Sequence, residues 1–244
     1  MTENRSNSSR FVSTYNQLDE YMRDQLGNDK RNTIYYHRVH GMASKEATFR
    51  KYKLLLHSFG ELRNAIVHDY GRNEMEIIAE PHLDHVETYE RILADVMNPA
   101  MALDTIAVKV KELYTLKPEY DVLKAIQIMS KENYSYAPLL DNDQIIGVFS
   151  EESLFDYLND FGKMDLTNGL KLKDLKKYTT VNDHRSEAFQ FASEKETVAD
   201  LEERLRGIKD QHRRFEVVFI TKNGKLNENL LGMVTIWDLA QSMI

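Results

Sequence analysis

Apolar residues in the first hundred positions recur at steps of three and four, which is the spacing of one face of an α-helix. The first such segment covers residues 11–25, with Phe11, Tyr15, Leu18 and Met22 on the apolar face. Gly27 follows it as a stop signal. The pattern therefore predicts an amphipathic helix that ends at this glycine.

A longer stripe of the same kind runs from about Ser44 to Tyr70. Its apolar positions are Phe49, Tyr52, Leu56, Phe59, Leu62 and Ile66. We predict one helix over this range, ended by Gly71. A third helix is predicted between Pro81 and Pro99. The first hundred residues are thus expected to be all-helical.

Beyond Pro99 the pattern changes, since short β-branched runs such as 145–149 and 215–220 alternate with helical segments. Two stretches also resemble each other when Val122 is aligned with Val198 and Gly147 with Gly232. Each copy then has the order strand, helix, two-strand hairpin, helix. An internal repeat of this kind predicts an α/β region in which the two copies bury a shared face.

Composition narrows the classes of protein. The chain has no cysteine, which excludes disulfides, thiolate zinc sites and cysteine nucleophiles and favours a cytoplasmic protein. The polar first ten residues give no sign of a secretory signal, and no apolar run approaches the ~18 residues that a membrane span needs. The net charge of −7 argues against general nucleic-acid binding, so any RNA contact needs a local basic patch.

The two copies of the repeat end with related sequence segments. The second reads Gly232-Met-Val-Thr235-Ile-Trp-Asp238 and fits the pattern G-φ-φ-[ST]-x-x-[DN], where φ is apolar. Its threonine ends a strand, and its aspartate lies in the first turn of the next helix, whose amides favour an anion. In the first copy Ser153 stands where the carboxylate is expected.

The repeat and this pattern resemble tandem CBS domains over roughly residues 105–244. The resemblance implies an adenosine-containing ligand such as AMP, ADP or ATP, with Thr235 facing the phosphates and Asp238 binding the ribose. It also points to Phe191 and Ala192 as residues that line the base. We expect one site, in the second copy, because the first lacks the carboxylate. The alternative is that Thr235 and Asp238 only cap a helix, and Trp237 is expected to pack or to form an interface.

The segment Leu62-Arg-Asn-Ala-Ile-Val-His68 is the most specific local signal of the N-terminal region. On a continuous helix, positions five apart lie ~7.5 Å along the axis and ~140° around it, so Arg63 and His68 would border one groove. Asn64 and His68, four apart, would share a face. This geometry predicts that Asn64 orients the imidazole of His68.

This motif resembles that of HEPN domains, which are small helical bundles that often dimerise and often act as metal-independent ribonucleases. The resemblance covers roughly residues 10–98. It implies a catalytic set of Arg63, Asn64 and His68, in which His68 is the general acid or base and Arg63 stabilises the charged phosphorane. The alternatives are a solvated Arg63 paired with a nearby carboxylate, and an inactive bundle that serves for dimerisation.

Six of the eight histidines precede residue 101, but they have no cysteine and no carboxylate at matching spacing, so we expect no metal site.

The two resemblances together predict an α+β two-domain protein, with an all-α HEPN-like bundle at 1–100 followed by an α/β tandem CBS pair. The pair comprises a first repeat at 101–158, a connector at 159–187 and a second repeat at 188–244.

We expect a homodimer in which an adenine nucleotide regulates the helical domain, and the HEPN resemblance implies that this domain is an endoribonuclease that cleaves RNA without a metal. The alternative is a non-catalytic nucleotide sensor that uses its helical domain for dimerisation or for binding a partner protein.

Overall fold

The computed structural model of the 244-residue chain describes residues 6–27, 34–69, 75–166, 169–184, 187–207 and 214–242. Within these ranges, the side chains at positions 68, 69, 75, 76 and 214 lie outside the description. The chain divides into two compact units, Met1–Ala100 and Met101–Ile244.

The first unit is built mainly from helices. They are α1 (Asn7–Leu26), α2 (Tyr35–Ala43), α3 (Ala47–Ile66) and α4 (Leu83–Met97). Their buried faces meet in an aromatic core, where the ring centroid of Tyr89 lies 5.0 Å from that of Phe11 and 4.8 Å from that of Phe59. The hydroxyls of Tyr35 and Tyr89 form a hydrogen bond of 2.8 Å with each other inside this core. Burial raises the pKa of both phenols.

The helical prediction is confirmed for α1, which ends at Gly27 with a positive φ of 63°, and for α4. The prediction of one helix from Ser44 to Tyr70 is wrong at its end, because α3 stops at Ile66. The next residues form β1 (Val67–Asp69), which pairs antiparallel with β2 (Met75–Ile77). Two consecutive β-branched residues favour the extended backbone here. Gly71 lies outside the described residues, and α2 was not predicted.

The second unit contains the internal repeat. Its first copy has α6 (Val122–Glu132), β4 (Tyr136–Asp141), β5 (Gln144–Ser150) and α7 (Glu151–Phe161). Its second copy has β6 (Glu187–Ser193), α9 (Val198–Gly207), β7 (Arg214–Thr221), β8 (Leu230–Thr235) and α10 (Ile236–Ser242). The short elements α5 (Ala102–Thr105) and β3 (Val108–Lys109) precede both copies.

Strands β6, β7 and β8 of the second copy form a sheet with β3 in the order β3-β8-β7-β6, in which the β6–β7 pair is parallel and the others are antiparallel. Strands β4 and β5 form a separate antiparallel hairpin. The strand predicted at the start of the first copy is reduced to a bridge between Leu116 and Leu139. The order helix, hairpin, helix is otherwise the same in both copies.

The predicted shared face is confirmed by one apolar core. It joins residues of the first hairpin to residues of the second sheet: Leu140, Ile145 and Val148 with Val217, Phe219, Leu230 and Met233. The segment 159–187 is more than a polar connector. It contains a 3-10 turn (Leu172–Leu175) and α8 (Lys176–Thr179), and it places Leu172, Leu175 and Tyr178 in the core of the first copy.

A glycine opens the closing segment of each copy because another backbone passes close to it. A Cβ on Gly147 would overlap the carbonyl oxygen of Thr179, and one on Gly232 would lie 3.1 Å from the carbonyl oxygen of Val108. Close packing therefore requires glycine at position 147, whereas at position 232 it leaves only tight room for a side chain.

Replacing Gly147 with alanine tests this packing. The added methyl meets backbone, which yields less than a flexible side chain, so Gly147→Ala is expected to lower the free energy of unfolding by about 1–3 kcal/mol. Gly207→Ala is the matched control, since nothing lies within 4 Å of a Cβ there, and it should leave stability unchanged or raise it by up to about 1 kcal/mol. Urea unfolding followed by circular dichroism measures both. Equal stability of the two variants would contradict the packing argument.

Candidate functional site

In the second copy, β8 runs directly into α10, so Thr235 stands at the start of the helix and Asp238 in its first turn. The amide and the hydroxyl of Thr235 both donate to Asp238 Oδ2, each at 2.7 Å, and the amide of Asp238 donates to Thr235 Oγ1 at 3.4 Å. The two side chains that the sequence singled out are thus brought together as a reciprocal cap.

Thr235 also lines a cavity of about 270 Å³ between the two copies. The second copy contributes Met233, Ile236 and Trp237 beside it, and Glu216 from β7. The opposite wall comes from the turn between α6 and β4 of the first copy, with Asn133, Tyr134, Ser135 and Tyr136. Trp237 is 76% exposed, so its side chain does not pack within the chain, and its expected role at an interface stays a prediction.

Sequence reasoning missed the wall formed by the first copy. The signal was present as the pair of tyrosines in the segment 133–136, between a helix and a strand. Phe191 and Ala192 lie elsewhere in the second copy. Phe191 packs against Phe219 with ring centroids 5.7 Å apart, and Ala192 is buried in the core beside α9. Neither is among the residues that line this cavity, and their role at the base stays a prediction.

The equivalent segment of the first copy has the same capping geometry but a different environment. Ser150 and Ser153 cap α7 reciprocally, and they are only 1% and 0% exposed. The hydroxyl of Ser150 donates to Glu187 Oε2 at 2.7 Å. A nearby cavity of about 470 Å³ has an acidic lining that includes Glu151, Glu152, Asp156, Glu187 and Glu216. This environment repels a phosphate.

The N-terminal motif does not have the predicted helical geometry. Arg63 and Asn64 lie in the last turn of α3, but the backbone of His68 belongs to β1. Asn64 and His68 therefore do not share a helix face, because the helix ends between them. The guanidinium of Arg63 lies 5.2 Å from the ring centroid of Tyr15, and its Nη1 donates to Asn64 Oδ1 at 3.3 Å. The side chain of His68 lies outside the described part of the chain.

No helix within the described ranges combines the length and the apolar character that crossing a membrane requires.

Comparison with solved structures finds CBS-domain proteins. CBSX2 in complex with AMP is 18% identical, with coverage of 59% of this chain and 96% of that chain and a TM-score of 0.42. CbpB in complex with c-di-AMP is 8% identical, with coverage of 64% and 91% and a TM-score of 0.45. A CBS-domain protein from Agrobacterium tumefaciens is 18% identical, with coverage of 54% and 89% and a TM-score of 0.38.

No curated protein matches the chain in a sequence comparison. Among protein families, the CBS domain matches residues 104–160, a range that contains α6, the β4–β5 hairpin and all but the last residue of α7, and no residue of the helical unit. Residues 104–160 are therefore a CBS domain.

Proposed function

We propose that residues 101–244 are a tandem CBS module that binds one adenine nucleotide per chain, such as AMP, ADP or ATP, and thereby regulates the helical unit. The observation that carries the proposal is the cavity between the copies, where Thr235 at a helix start faces two tyrosines and a tryptophan. A volume of about 270 Å³ is near the lower end of ligand pockets, about 300–1,000 Å³, and so favours a mononucleotide.

The residues of the cavity suit the parts of such a ligand. Tyr134, Tyr136 and Trp237 offer aromatic faces on which an adenine base stacks. The hydroxyl of Thr235 lies where α10 begins, beside the amides that favour a phosphate. Asp238 Oδ2 is engaged with Thr235, while Oδ1 accepts no hydrogen bond from the residues that the structure describes and is available to a ribose hydroxyl.

The first copy gives a reason to expect only one nucleotide site per chain. Its corresponding hydroxyl, on Ser150, is buried and donates to the carboxylate of Glu187, so an incoming phosphate would have to displace a charge-assisted hydrogen bond and approach an acidic surface. Nucleotide binding is therefore assigned to the second copy.

Asp238→Ala is expected to weaken adenine-nucleotide binding at least tenfold, since the variant loses hydrogen bonds to a charged acceptor worth about 1.5–3 kcal/mol each. Isothermal titration calorimetry with AMP, ADP and ATP measures the effect. Asp200→Ala is the matched control, because Asp200 caps α9 through Thr197 with the same three hydrogen bonds. Thr235, the cap partner of Asp238, lines the cavity, whereas Thr197 does not, and neither aspartate is itself a lining residue.

Equal weakening by both variants would show that the loss comes from the helix cap and not from the ligand. Failure of the wild-type protein to bind any of the three nucleotides would remove the proposed function.

Trp237 is the single tryptophan of the chain, so its fluorescence reports directly on this cavity. Nucleotide binding is expected to change the emission, because the base stacks on the indole or displaces water from it. Trp237→Ala should weaken binding about tenfold, given about 1–3 kcal/mol for a base stacked on an aromatic ring. It should leave the thermal unfolding midpoint unchanged, since the side chain is largely exposed. Binding without any change in emission would place the ligand elsewhere.

The second candidate function is metal-independent cleavage of RNA by the helical unit, in a homodimer. What favours it is the position of Arg63, whose guanidinium lies over Tyr15 at the end of α3, directly before the strand that carries His68. In this mechanism a ribose 2′-hydroxyl gives its proton to His68 and attacks the adjacent phosphate, while Arg63 stabilises the charged phosphorane. The bond from phosphorus to the 5′-oxygen then breaks, and that oxygen takes a proton from the protonated His68. One fragment ends in a 2′,3′-cyclic phosphate and the other in a 5′-hydroxyl.

For this activity, the purified protein should cleave single-stranded RNA in EDTA, and His68→Ala should lower the rate by about 10²–10⁴. Arg63→Ala should also abolish cleavage, whereas Arg91→Ala, an exposed arginine of α4, should not. Light scattering should return twice the mass of the chain. Cleavage that survives His68→Ala, or a monomer, would leave a non-catalytic sensor that binds a partner protein through its helical unit.

A further inference from the structure

Three side chains from different segments converge beside the acidic cavity of the second unit. They are Glu152 on α7 of the first copy, Glu187 at the start of β6 of the second copy, and His184 from the segment between the copies. One ligand atom from each lies within 4.8 Å of the others. His184 Nδ1 is 3.1 Å from Glu187 Oε2. Three potential metal ligands thus lie together at the junction of the two copies.

His184 is the part of this cluster that ordinary packing does not explain. Its side chain is 0% exposed, and its Nε2 has no hydrogen-bond partner among the residues that the structure describes. Buried ring nitrogens are normally satisfied by a donor, an acceptor or a metal. Nδ1, and not the unsatisfied Nε2, is the ring nitrogen that faces Glu187, so Nδ1 is the atom that would bind an ion, in the tautomer that carries its hydrogen on Nε2.

The surroundings favour a cation. Five carboxylates line the adjoining cavity of about 470 Å³, and none of the lining residues that the structure describes is a lysine or an arginine. Glu187 itself is only 6% exposed. An ion here would offset the cost of burying the carboxylate of Glu187 beside an acidic cavity.

The distances fit a small divalent ion. Zinc binds imidazole nitrogen and carboxylate oxygen at about 2.0–2.2 Å, so adjacent ligand atoms lie about 3.0–3.5 Å apart. The distance between His184 Nδ1 and Glu187 Oε2 falls within that range. The three ligand atoms all lie within 4.8 Å of one another, so the carboxylate of Glu152 on α7 would have to move only a short way towards the other two to bind the same ion.

We propose that Glu152, His184 and Glu187 bind a first-row divalent transition-metal ion of the Zn²⁺ or Mn²⁺ class. One imidazole and two carboxylates suit such ions, whereas Mg²⁺ and Ca²⁺ prefer oxygen ligands alone. The hydroxyl of Ser150, which donates to Glu187, orients that carboxylate from behind. The ion links α7 of the first copy to β6 of the second. This site is separate from the nucleotide cavity, and its test needs no nucleotide.

Titration of the 244-residue chain tests the site after metal has been removed with EDTA and the EDTA dialysed away. Calorimetry with ZnCl₂ and MnCl₂ should reveal a site of one ion per chain that MgCl₂ does not fill at the same concentration. Glu152→Gln and Glu187→Gln should each weaken this site at least tenfold. The controls are Glu151→Gln and Glu216→Gln, which remove charge from the same cavity but not from the cluster, and they should keep the affinity within about threefold.

Thermal unfolding gives a second measurement that needs no variant. At an ion concentration about 100 times the Kd, the unfolding midpoint of the second unit should rise by about 5–10 °C. If Glu187→Gln does not fold, Glu152→Gln alone decides, since Glu152 lies on the partly exposed face of α7. Equal weakening by all four variants would show diffuse acidic attraction and overturn the proposal. Filling of the site by Mg²⁺ as readily as by Zn²⁺, or no such site, would overturn it as well.

Discussion

Leu140, Ile145 and Val148 of the first hairpin share one apolar core with the sheet of the second copy, and the two cavities described above depend on this contact. Burying each such side chain contributes about 1.5–3 kcal/mol. The amide of Leu230 also donates to the carbonyl of Asp143 at 3.0 Å, which joins the hairpin turn to β8. The contact fixes the turn after α6 opposite Thr235, so the proposed nucleotide cavity exists only because the two copies are held together.

The two copies show how one local geometry acquires two chemistries. Both closing segments place a hydroxyl at a helix start and cap it with the side chain three residues later. In the second copy that side chain is the carboxylate of Asp238, and the hydroxyl of Thr235 lines an aromatic cavity. In the first copy the hydroxyl of Ser150 instead donates to the carboxylate of Glu187, which belongs to the second copy. The presence of this carboxylate makes the surface of the first copy suited to a cation, whereas the corresponding surface of the second copy is suited to a phosphate.

The helical unit illustrates the limit of a periodic pattern. The apolar stripe that predicts α3 continues through Ile66 and Val67, and nothing in its spacing marks the end of the helix. The helix stops because the amide of Ile78 donates to the carbonyl of Ile66 at 2.8 Å and β2 pairs with β1. That pairing moves His68 from a helix onto a strand and changes which residues of the motif lie on one face.

The sequence by itself determined the features that depend on residues close together in the chain. These are the helices with apolar stripes, the stop at Gly27, the repeat, and the pairing of Thr235 with Asp238, because a turn of helix places such residues within reach. The tertiary structure decided the rest, including the tyrosines opposite Thr235, the contact between Ser150 and Glu187, and the burial of His184. These contacts join segments tens of residues apart, and local periodicity carries no information about which distant surfaces meet.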